Sequence, residues 1–309
     1  MSDGIVEREG DRIDKRIVRL NFNRRAAEYD RHAGLQRQMA DRLLALVRDA
    51  RLRADSPSAV RGTTWALDIG CGTGYVTARL AEERPEGAAA DMRVVAVDIA
   101  ERMLEEARRR LAAQAASERV DFRTGDAEKP ESVLQEGESF DLIVSNAAFQ
   151  WFDRPLDALA AYVRRLAPGG FLALSTFGPE TFRELHESFR TAETELGLPA
   201  RRRGPSFPRR DEWAACALSC GAEIVFLEEE RRVLTYASVR DFLAEVRGMG
   251  ASYSPARWDA SGAVRELFRV MERHYVRRFG IGDAGGARAA EVPATYHVYY
   301  IGVRRGDEG

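Results

Sequence analysis

The sequence of 309 residues contains little cysteine and little histidine, and these absences exclude several classes of protein. Three cysteines do not make the disulfide framework of a small secreted domain. Cys216 and Cys220 lie four positions apart on a predicted helix, but no further cysteine and no cluster among the four histidines completes a metal site. We therefore expect no bound metal, and we expect these two cysteines to be small buried residues.

The sequence also lacks an excess of either charge, because 47 basic residues are balanced by 49 acidic ones and the net charge is −2. Such a chain has no general attraction for nucleic acid. No apolar run is long enough to span a membrane. Residues 1–14 are polar and acidic, whereas a secretory signal is basic and then apolar. These absences predict a cytoplasmic protein.

Short apolar segments alternate with helical ones between residues 65 and 176. The predicted strands are 65–69, 93–97, 120–123, 140–145 and 171–176, and the predicted helices are 75–83, 100–113 and 156–166. This alternation predicts a parallel sheet with helices on both faces. Ligands of such sheets bind at the carboxyl ends of the strands, so we expect the site there.

The chain on either side of this region is predicted to be mostly helical. We expect a flexible tail at 1–14, a helical cap at 15–62, a core at 63–234, a helical insertion at 235–292, and the last strand with a tail at 293–309. Within these regions we predict helices at 17–47, 179–196, 210–220, 239–249 and 263–279, and strands at 223–234 and 295–304. The expected fold is α/β, with a mostly parallel seven-stranded sheet.

A glycine-rich turn follows the first predicted strand, with Gly70, Gly72 and Gly74 at alternate positions. Glycine allows a tight turn and lets a ligand approach the backbone. A dinucleotide-binding fingerprint would need a small residue where Tyr75 or Thr77 stands, so that motif is absent. The segment instead resembles the first motif of Rossmann-like methyltransferases that use S-adenosylmethionine (SAM), in which an acidic residue precedes Gly-x-Gly-x-Gly.

This resemblance implies a SAM site along the ends of four strands. Asp68 would face the ammonium of the cofactor, directly or through water, and backbone N–H groups around 70–74 would meet its carboxylate. Asp98 would accept hydrogen bonds from the ribose hydroxyls. Asp126 would accept one from the adenine amino group. The full set of expected cofactor residues is Asp68, Gly70, Cys71, Gly72, Gly74, Asp98, Ile99, Asp126, Ala127 and Asn146.

Four further segments narrow the resemblance to one family. They are Phe22-Asn23-Arg24-Arg25-Ala26-Ala27-Glu28-Tyr29-Asp30, Ser145-Asn146-Ala147-Ala148-Phe149-Gln150-Trp151, the stretch from Ser175-Thr176-Phe177-Gly178-Pro179 to Arg183-Glu184-Leu185-His186, and Thr295-Tyr296-His297-Val298. Over residues 15 to 304 the chain resembles the malonyl-acyl-carrier-protein O-methyltransferases of biotin synthesis. The resemblance implies methyl transfer from SAM to the free carboxylate of a malonyl thioester, with S-adenosylhomocysteine as the product. It leaves open whether acyl carrier protein or coenzyme A carries the thioester.

The expected reaction needs recognition of the substrate carboxylate more than it needs a base. A carboxylate is already ionised at neutral pH, so no general base is expected. Arg183 is the first candidate for binding it, because a guanidinium pairs bidentately with a carboxylate. His186 lies about one helical turn further on. Tyr29 and Gln150 are candidates for additional hydrogen bonds.

A basic run occupies residues 201–210, and its arginines are Arg201, Arg202, Arg203, Arg209 and Arg210. Acyl carrier proteins are acidic, so the run could dock such a carrier, although a solvated loop explains it equally well.

Two other functions stay open from the sequence. The same fold could methylate another small acid or hydroxyl, or the chain could be a SAM-binding assembly factor without activity. Methylation of nucleic-acid amino groups is disfavoured, because the Asp/Asn-Pro-Pro-aromatic motif of those enzymes is absent after the fourth predicted strand.

Overall fold

The computed structural model describes residues 13–52, 64–83, 92–112, 114–201, 204–248, 262–282 and 291–306. Most of the expected tail at 1–14 lies outside these residues, as do Arg202, Arg203 and two parts of the expected insertion at 235–292. Within the described ranges, no helix has the length and apolar character needed to cross a membrane.

Helices and strands alternate through the middle of the chain. The helices are α1 (Lys15–Arg25), α2 (Tyr29–His32), α3 (Gly34–Leu52), α4 (Tyr75–Glu82), α5 (Glu101–Leu111), α6 (Pro155–Val163), α7 (Arg183–Glu195), α8 (Arg210–Ser219), α9 (Val239–Gly248) and α10 (Gly262–Phe279). The strands are β1 (Thr64–Ile69), β2 (Met92–Asp98), β3 (Val120–Thr124), β4 (Phe140–Asn146), β5 (Leu166–Phe177), β6 (Ala222–Tyr236) and β7 (Val292–Arg305).

The strands form one seven-stranded sheet in the order β3-β2-β1-β4-β5-β7-β6. Strands β1 to β5 run parallel to one another, and β7 runs antiparallel to both β5 and β6. The central strands are buried at nearly every position, because helices cover both faces of a parallel sheet. The sequence-based prediction of a mostly parallel seven-stranded sheet is confirmed.

Two apolar layers hold the helices against the sheet. On one face, Leu43 of α3 and Val76 of α4 pack with Val94 of β2 and with Tyr275 of α10. On the other face, Leu159 of α6 and Trp213 of α8 pack with inward residues of β1 and β4. Cys216 and Cys220 border this second layer and are half-buried rather than buried, so the expectation for them was only partly right.

Two predicted helices differ in the structure, because one is divided and the other begins later. The segment 17–47 is divided into α1, a 3-10 turn at Ala26–Glu28, α2 and α3. Helix α7 begins at Arg183 instead of 179, because Phe182 has a φ of +59° that a right-handed helix does not contain. Apolar spacing cannot show either break, since the backbone changes direction without losing its pattern of buried side chains.

Between β6 and β7 the described part of the expected insertion is helical. Helix α10 packs on α7 through Phe268 and Phe189, whose rings are 5.3 Å apart. Helix α9 reaches the N-terminal helices through His32 Nδ1 and Glu245 Oε2, which are 2.8 Å apart. The division of the chain into a cap, a core and an insertion stays a prediction.

Candidate active site

The glycine loop between β1 and α4 has three glycines with positive φ, at +67° for Gly70, +55° for Gly72 and +79° for Gly74. A Cβ on Gly70 would lie 2.4 Å from the Cβ of Ala148, so the loop touches the turn after β4. A Cβ on Gly72 would meet no atom within 4 Å. The backbone at Gly72 is therefore accessible to a ligand, as a cofactor loop requires.

Asp98 at the end of β2 uses one carboxylate oxygen for this loop and the other for the turn that follows β2. Oδ2 accepts from the Gly72 N–H at 2.9 Å, and Oδ1 accepts from the Ala100 N–H at 2.8 Å. Burial raises the pKa of Asp98 to about 6. Each oxygen keeps a second lone pair for a hydroxyl of a ligand.

Several amides of the loop are already used within the chain. Cys71 N–H donates to the Val97 carbonyl at 2.9 Å, and Gly74 N–H donates to the Cys71 carbonyl at 2.9 Å. The Gly72 N–H is bound to Asp98. The contact expected between residues 70–74 and the carboxylate of SAM is therefore limited to the remaining amides of the loop. Burial raises the pKa of the Cys71 thiol, so that side chain packs as a neutral group.

Asp68 is buried at the end of β1 and bonds to the first turn of α4. Its Oδ2 accepts from the Thr77 hydroxyl at 2.6 Å, and burial raises its pKa to about 7. Thr77 occupies one of the positions where a dinucleotide loop would need a small residue. The sequence reading used Thr77 only to exclude that motif and missed its bond to Asp68.

The ends of β3 and β4 bring the other expected cofactor residues to the same edge of the sheet. Asp126 lies 3.5 Å from Lys15 Nζ, and the Ala127 carbonyl accepts from the Tyr162 hydroxyl at 2.6 Å. Asn146 donates to the Gln36 carbonyl at 3.0 Å and accepts from the Ser175 hydroxyl at 2.7 Å. Lys15 and Gln36 belong to the N-terminal helices, so these helices lie over the site.

The N-terminal helices also contact β2 and the glycine loop. Tyr29, like Ile99 from the end of β2, packs in an apolar cluster with Ala100 and Met103, and burial raises the pKa of Tyr29. Tyr29 therefore lies beside the expected cofactor residues. Its hydrogen bond to a substrate stays a prediction.

A polar tie joins the same helices to the loop. The Thr73 hydroxyl donates to Asp30 Oδ1 at 2.7 Å, and Arg110 pairs with the other oxygen of Asp30. Arg110 Nε also donates to the Thr73 carbonyl at 2.8 Å. The sequence reading missed Asp30 and Arg110, since neither belongs to the glycine motif.

Gln150 follows β4 in a 3-10 turn and is held by the chain itself. Its Nε2 donates to the Ala147 carbonyl at 2.6 Å, and its Oε1 accepts from the Thr176 hydroxyl at 3.4 Å. Ala147 has a φ of +53°, which an L-residue rarely adopts. These bonds stabilise the strained turn, and contact of Gln150 with a substrate stays a prediction.

Arg183 and His186 lie at different places although they share one helix. Arg183 is 57% exposed, and its guanidinium lies 3.3 Å from Glu184 Oε1 and 3.8 Å from Glu180 Oε2. His186 lines a pocket that does not include Arg183 among its lining residues. The structure therefore pairs Arg183 with glutamates and places His186 on a pocket, and the role of each in binding the carboxylate remains a prediction.

Two of the four family segments, the stretch from Ser175 to His186 and the segment 295–298, pack on each other. Glu184 Oε2 accepts from the Thr295 N–H at 3.0 Å, and its other oxygen bonds the Thr295 hydroxyl. The Gly178 N–H donates to the His297 carbonyl at 2.8 Å, and the Thr181 hydroxyl donates to it at 3.0 Å. Strand β7 thus holds the turn between β5 and α7 in place.

The His297 side chain is buried beneath this turn and is flanked by two glutamates. Its Nδ1 accepts from the Glu180 N–H at 3.3 Å, and its Nε2 lies 3.1 Å from Glu229 Oε1. The ligand atoms of these three residues lie within 4.8 Å of one another. Arg231 Nη2 lies 2.6 Å from a carboxylate oxygen of each glutamate, so the chain supplies its own cation there. Burial and Arg231 lower the pKa of His297.

Comparisons with known proteins agree with this geometry. A family model described as "Methyltransferase domain" matches residues 66–170. The malonyl-[acyl-carrier protein] O-methyltransferase of Halalkalibacterium halodurans is 36% identical over 290 residues, which cover 94% of this chain and 98% of that protein. This chain belongs to the malonyl-[acyl-carrier protein] O-methyltransferase family. It is a SAM-dependent O-methyltransferase, which confirms the cofactor predicted from the glycine loop and the activity predicted from the four family segments.

Two further similarities fit the same family and fold. The biotin biosynthesis bifunctional protein BioHC of Teredinibacter turnerae is 31% identical over 307 residues, which cover 99% of this chain and 50% of that protein. The magnesium protoporphyrin IX methyltransferase of Synechocystis PCC 6803, solved with bound S-adenosylhomocysteine (SAH), has 17% identity and a TM-score of 0.53. That comparison covers 95% of this chain and 100% of the other and supports the methyltransferase fold.

Proposed function

We propose that this O-methyltransferase transfers the methyl group of SAM to the free carboxylate of a malonyl thioester on acyl carrier protein, as a step of biotin synthesis. The observation that carries the proposal is the 36% identity with a malonyl-[acyl-carrier protein] O-methyltransferase across 94% of this chain. That length includes the turn between β5 and α7 as well as the glycine loop. The similarity to BioHC supports the place in biotin synthesis.

The residues at the strand ends fit SAM in charge and shape. Asp98 would accept from the ribose hydroxyls through its remaining lone pairs, and the open backbone at Gly72 would let the cofactor approach. Asp68 is bonded to Thr77, which favours an electrostatic or water-mediated role over a direct contact with the ammonium. Asp126 would receive the adenine amino group beside Ala127.

SAM brings a methyl group that is activated by a positively charged sulfur, so the chain has to orient the substrate and exclude water. Holding reactants in line lowers the barrier without a base. The N-terminal helices cover the site through Lys15, Asp30 and Gln36 and so limit the access of water. Arg183, His186, Tyr29 and Gln150 are the candidates for orienting the malonyl group.

Docking of the acidic carrier is proposed for the basic run, and the structure narrows the residues available for it. Arg209 lies 3.5 Å from Asp211 and 3.7 Å from Glu212, and Arg210 donates to the Leu227 carbonyl at 3.2 Å. These two arginines therefore stabilise the start of α8. Among the described residues of the run, Arg201 is the better candidate for an anionic partner.

The decisive experiment incubates the purified protein with methyl-labelled SAM and malonyl-acyl carrier protein. The expected product is a labelled carrier whose label is released by mild base, because a methyl ester is base-labile. Acetyl-acyl carrier protein is the matched control, since it has the same carrier and thioester but no free carboxylate. Failure to label the malonyl carrier, or equal labelling of both carriers, would contradict the proposal. Rescue of a biotin-requiring strain is an independent check.

A further inference from the structure

A pocket of about 390 Å³ lies beside the candidate active site, between the turn after β5, helix α7 and the loop before α8. Its lining includes His186, Phe189 and Arg190 from α7, and Arg201 and Phe207 from the loop. The loop is joined to α7, because the Arg201 N–H donates to Glu193 Oε2 of α7 at 3.2 Å. None of the expected cofactor residues is among its described lining residues.

Among the described residues, the lining of the pocket carries two guanidiniums and no carboxylate. The carboxylate of Glu193 accepts from the backbone N–H of Arg201 and does not pair with its side chain. Within the part of the chain that the structure describes, no carboxylate oxygen lies within 4 Å of the guanidinium of Arg190 or Arg201. Arg183 on the same helix, by contrast, is paired with two glutamates. Two unbalanced guanidiniums on one pocket are suited to an anion with several oxygens, above all a phosphate.

The other walls of the pocket combine apolar side chains with three polar ones, Thr181, His186 and Ser206. Phe189 is 5% exposed, and the ring of Phe207 stands edge-on to Phe177 at 6.3 Å. Pro179 and Pro205 complete this lining. A ligand that fits both parts has an anionic group for the arginines and a long, mostly uncharged portion for the apolar walls.

The apolar wall leads from the pocket toward the cofactor site. Phe177 is the last residue of β5, two positions after Ser175, which stands opposite Asn146 of β4. Strand β4 lies between β5 and β1, so the end of β5 is about 10 Å from the glycine loop at the usual strand spacing. A ligand anchored in the pocket can extend along the carboxyl ends of β5 and β4 to the place of methyl transfer.

We propose that Arg190 and Arg201 bind the phosphate of the phosphopantetheine arm that carries the malonyl thioester, and that Phe189 and Phe207 contact the uncharged part of the arm. This inference rests on the proposed function, because it names where that substrate's handle binds. It places His186 beside the arm, in place of the contact with the malonyl group that the sequence predicted. Acyl carrier protein and coenzyme A carry the same arm, so the pocket recognises what the two have in common. Selectivity between them then comes from contacts outside the pocket.

The test is the double variant Arg190→Gln/Arg201→Gln, assayed with malonyl-acyl carrier protein, malonyl-coenzyme A and malonyl-N-acetylcysteamine, which lacks the phosphate. We expect KM to rise at least tenfold for both phosphate-bearing thioesters and to stay within twofold for the short one. Affinity for SAH should not change, which shows that the fold is intact. Arg269→Gln, an exposed and ion-paired arginine on α10, is the matched control for loss of a positive charge.

Binding of 4′-phosphopantetheine and of pantetheine, measured by calorimetry, tests the pocket without turnover. The wild type should bind the phosphorylated form at least tenfold more tightly, and the double variant should lose that difference. Equal binding of both forms by the wild type overturns the inference. A KM increase of the double variant for the short thioester also overturns it, as does an increase for malonyl-acyl carrier protein without one for malonyl-coenzyme A. If the wild type methylates none of the thioesters, the proposed function fails, and the calorimetric comparison still decides the pocket.

Discussion

The cofactor side and the acceptor side of this methyltransferase are built by different means. On the cofactor side, Asp68 and Asp98 end adjacent parallel strands and bind groups at most 26 residues away in the chain. On the acceptor side, the turn before α7 is held by Thr295 and His297, more than 110 residues further on. The bonds of Asp68 and Asp98 to the glycine loop and α4 are therefore specified by nearby sequence, whereas the turn before α7 depends on a strand from the end of the chain.

This difference explains why the two halves carry different information. A loop built from local contacts can be the same in many methyltransferases, because any parallel sheet presents its strand ends in this way. A turn that is bonded to a distant strand depends on where that strand is placed. We expect variants on the two sides to separate cofactor binding from substrate turnover.

Gly70→Ala should have the largest effect, on the cofactor side. The new Cβ would lie 2.4 Å from Ala148, at a φ of +67° that costs about 1–2 kcal/mol for an L-residue. We expect loss of measurable SAH binding and a lower melting temperature. Gly72→Ala is the matched control, because it has the positive φ without the clash and should keep more stability. Equal melting temperatures for the two variants would contradict the packing argument.

The pH dependence of SAH affinity should be nearly as large. Burial raises the pKa of Asp68 to about 7 and of Asp98 to about 6, and the ionised forms are the ones proposed to bind. Affinity should therefore fall as the pH decreases from 8 to 5.5, by up to about tenfold per unit for each protonated group. Calorimetry across this range is the measurement, and Asp68→Asn should remove the step near pH 7. An affinity that does not vary with pH would rule out these roles.

The same two groups have the opposite influence on the ligand-free protein. Between pH 4 and 7 the folded state binds more protons than the unfolded state, whose carboxyls have ordinary pKa values. Their contribution to the free energy of unfolding therefore decreases as the pH rises through this window and is constant above it. Chemical denaturation without ligand at pH 5, 6, 7 and 8 measures this sign.

Glu184→Gln should give a smaller effect, on the acceptor side. One amide NH₂ would replace an oxygen that accepts from Thr295, at a cost of about 1–3 kcal/mol for a buried group left unsatisfied. We expect slower methyl transfer to the malonyl thioester with SAH affinity nearly unchanged. Glu187→Gln, on the same helix and more exposed, should alter the stability by less than about 1 kcal/mol. A weakened SAH affinity in Glu184→Gln would mean that the two sides are not separable.

Asp30→Asn should give the smallest effect. The substitution weakens the bonds from Asp30 of the N-terminal helices to Thr73 and Arg110. These bonds are partly exposed to solvent. We expect SAH affinity to decrease by about threefold to tenfold, in line with the loss of about 1 kcal/mol. Asp49→Asn, at an exposed position of α3, is the control. No change in affinity on Asp30→Asn would show that the helices cover the site without organising the loop.

Much of the cofactor side could be predicted from the sequence. The three glycines, Asp68 and Asp98 follow strands with a clear apolar pattern, and strand ends of a parallel sheet meet at one edge. The bond of Thr77 to Asp68 and the tie of Asp30 to Thr73 could not be predicted. Those contacts depend on side-chain directions and on helices that cross the loop from outside the motif.

The acceptor side was less predictable for a physical reason. Arg183 and His186 share a helix, but the guanidinium of Arg183 is paired with Glu180 and Glu184. The spacing of charged residues on a helix states which ones share a face, and it does not state which partners are already there. The pocket with Arg190 and Arg201 appears only when the loop before α8 folds against α7.

The sequence by itself determined the order of strands and helices, the glycine loop and the family, because these depend on local backbone preferences and on residue patterns along the chain. Only the tertiary structure decided which charges are already paired and which remain available to a ligand. It joined β7 to the turn before α7, and it placed the N-terminal helices over the strand ends. Such pairings arise between residues far apart in the chain, and they form only when the sheet brings those residues into contact.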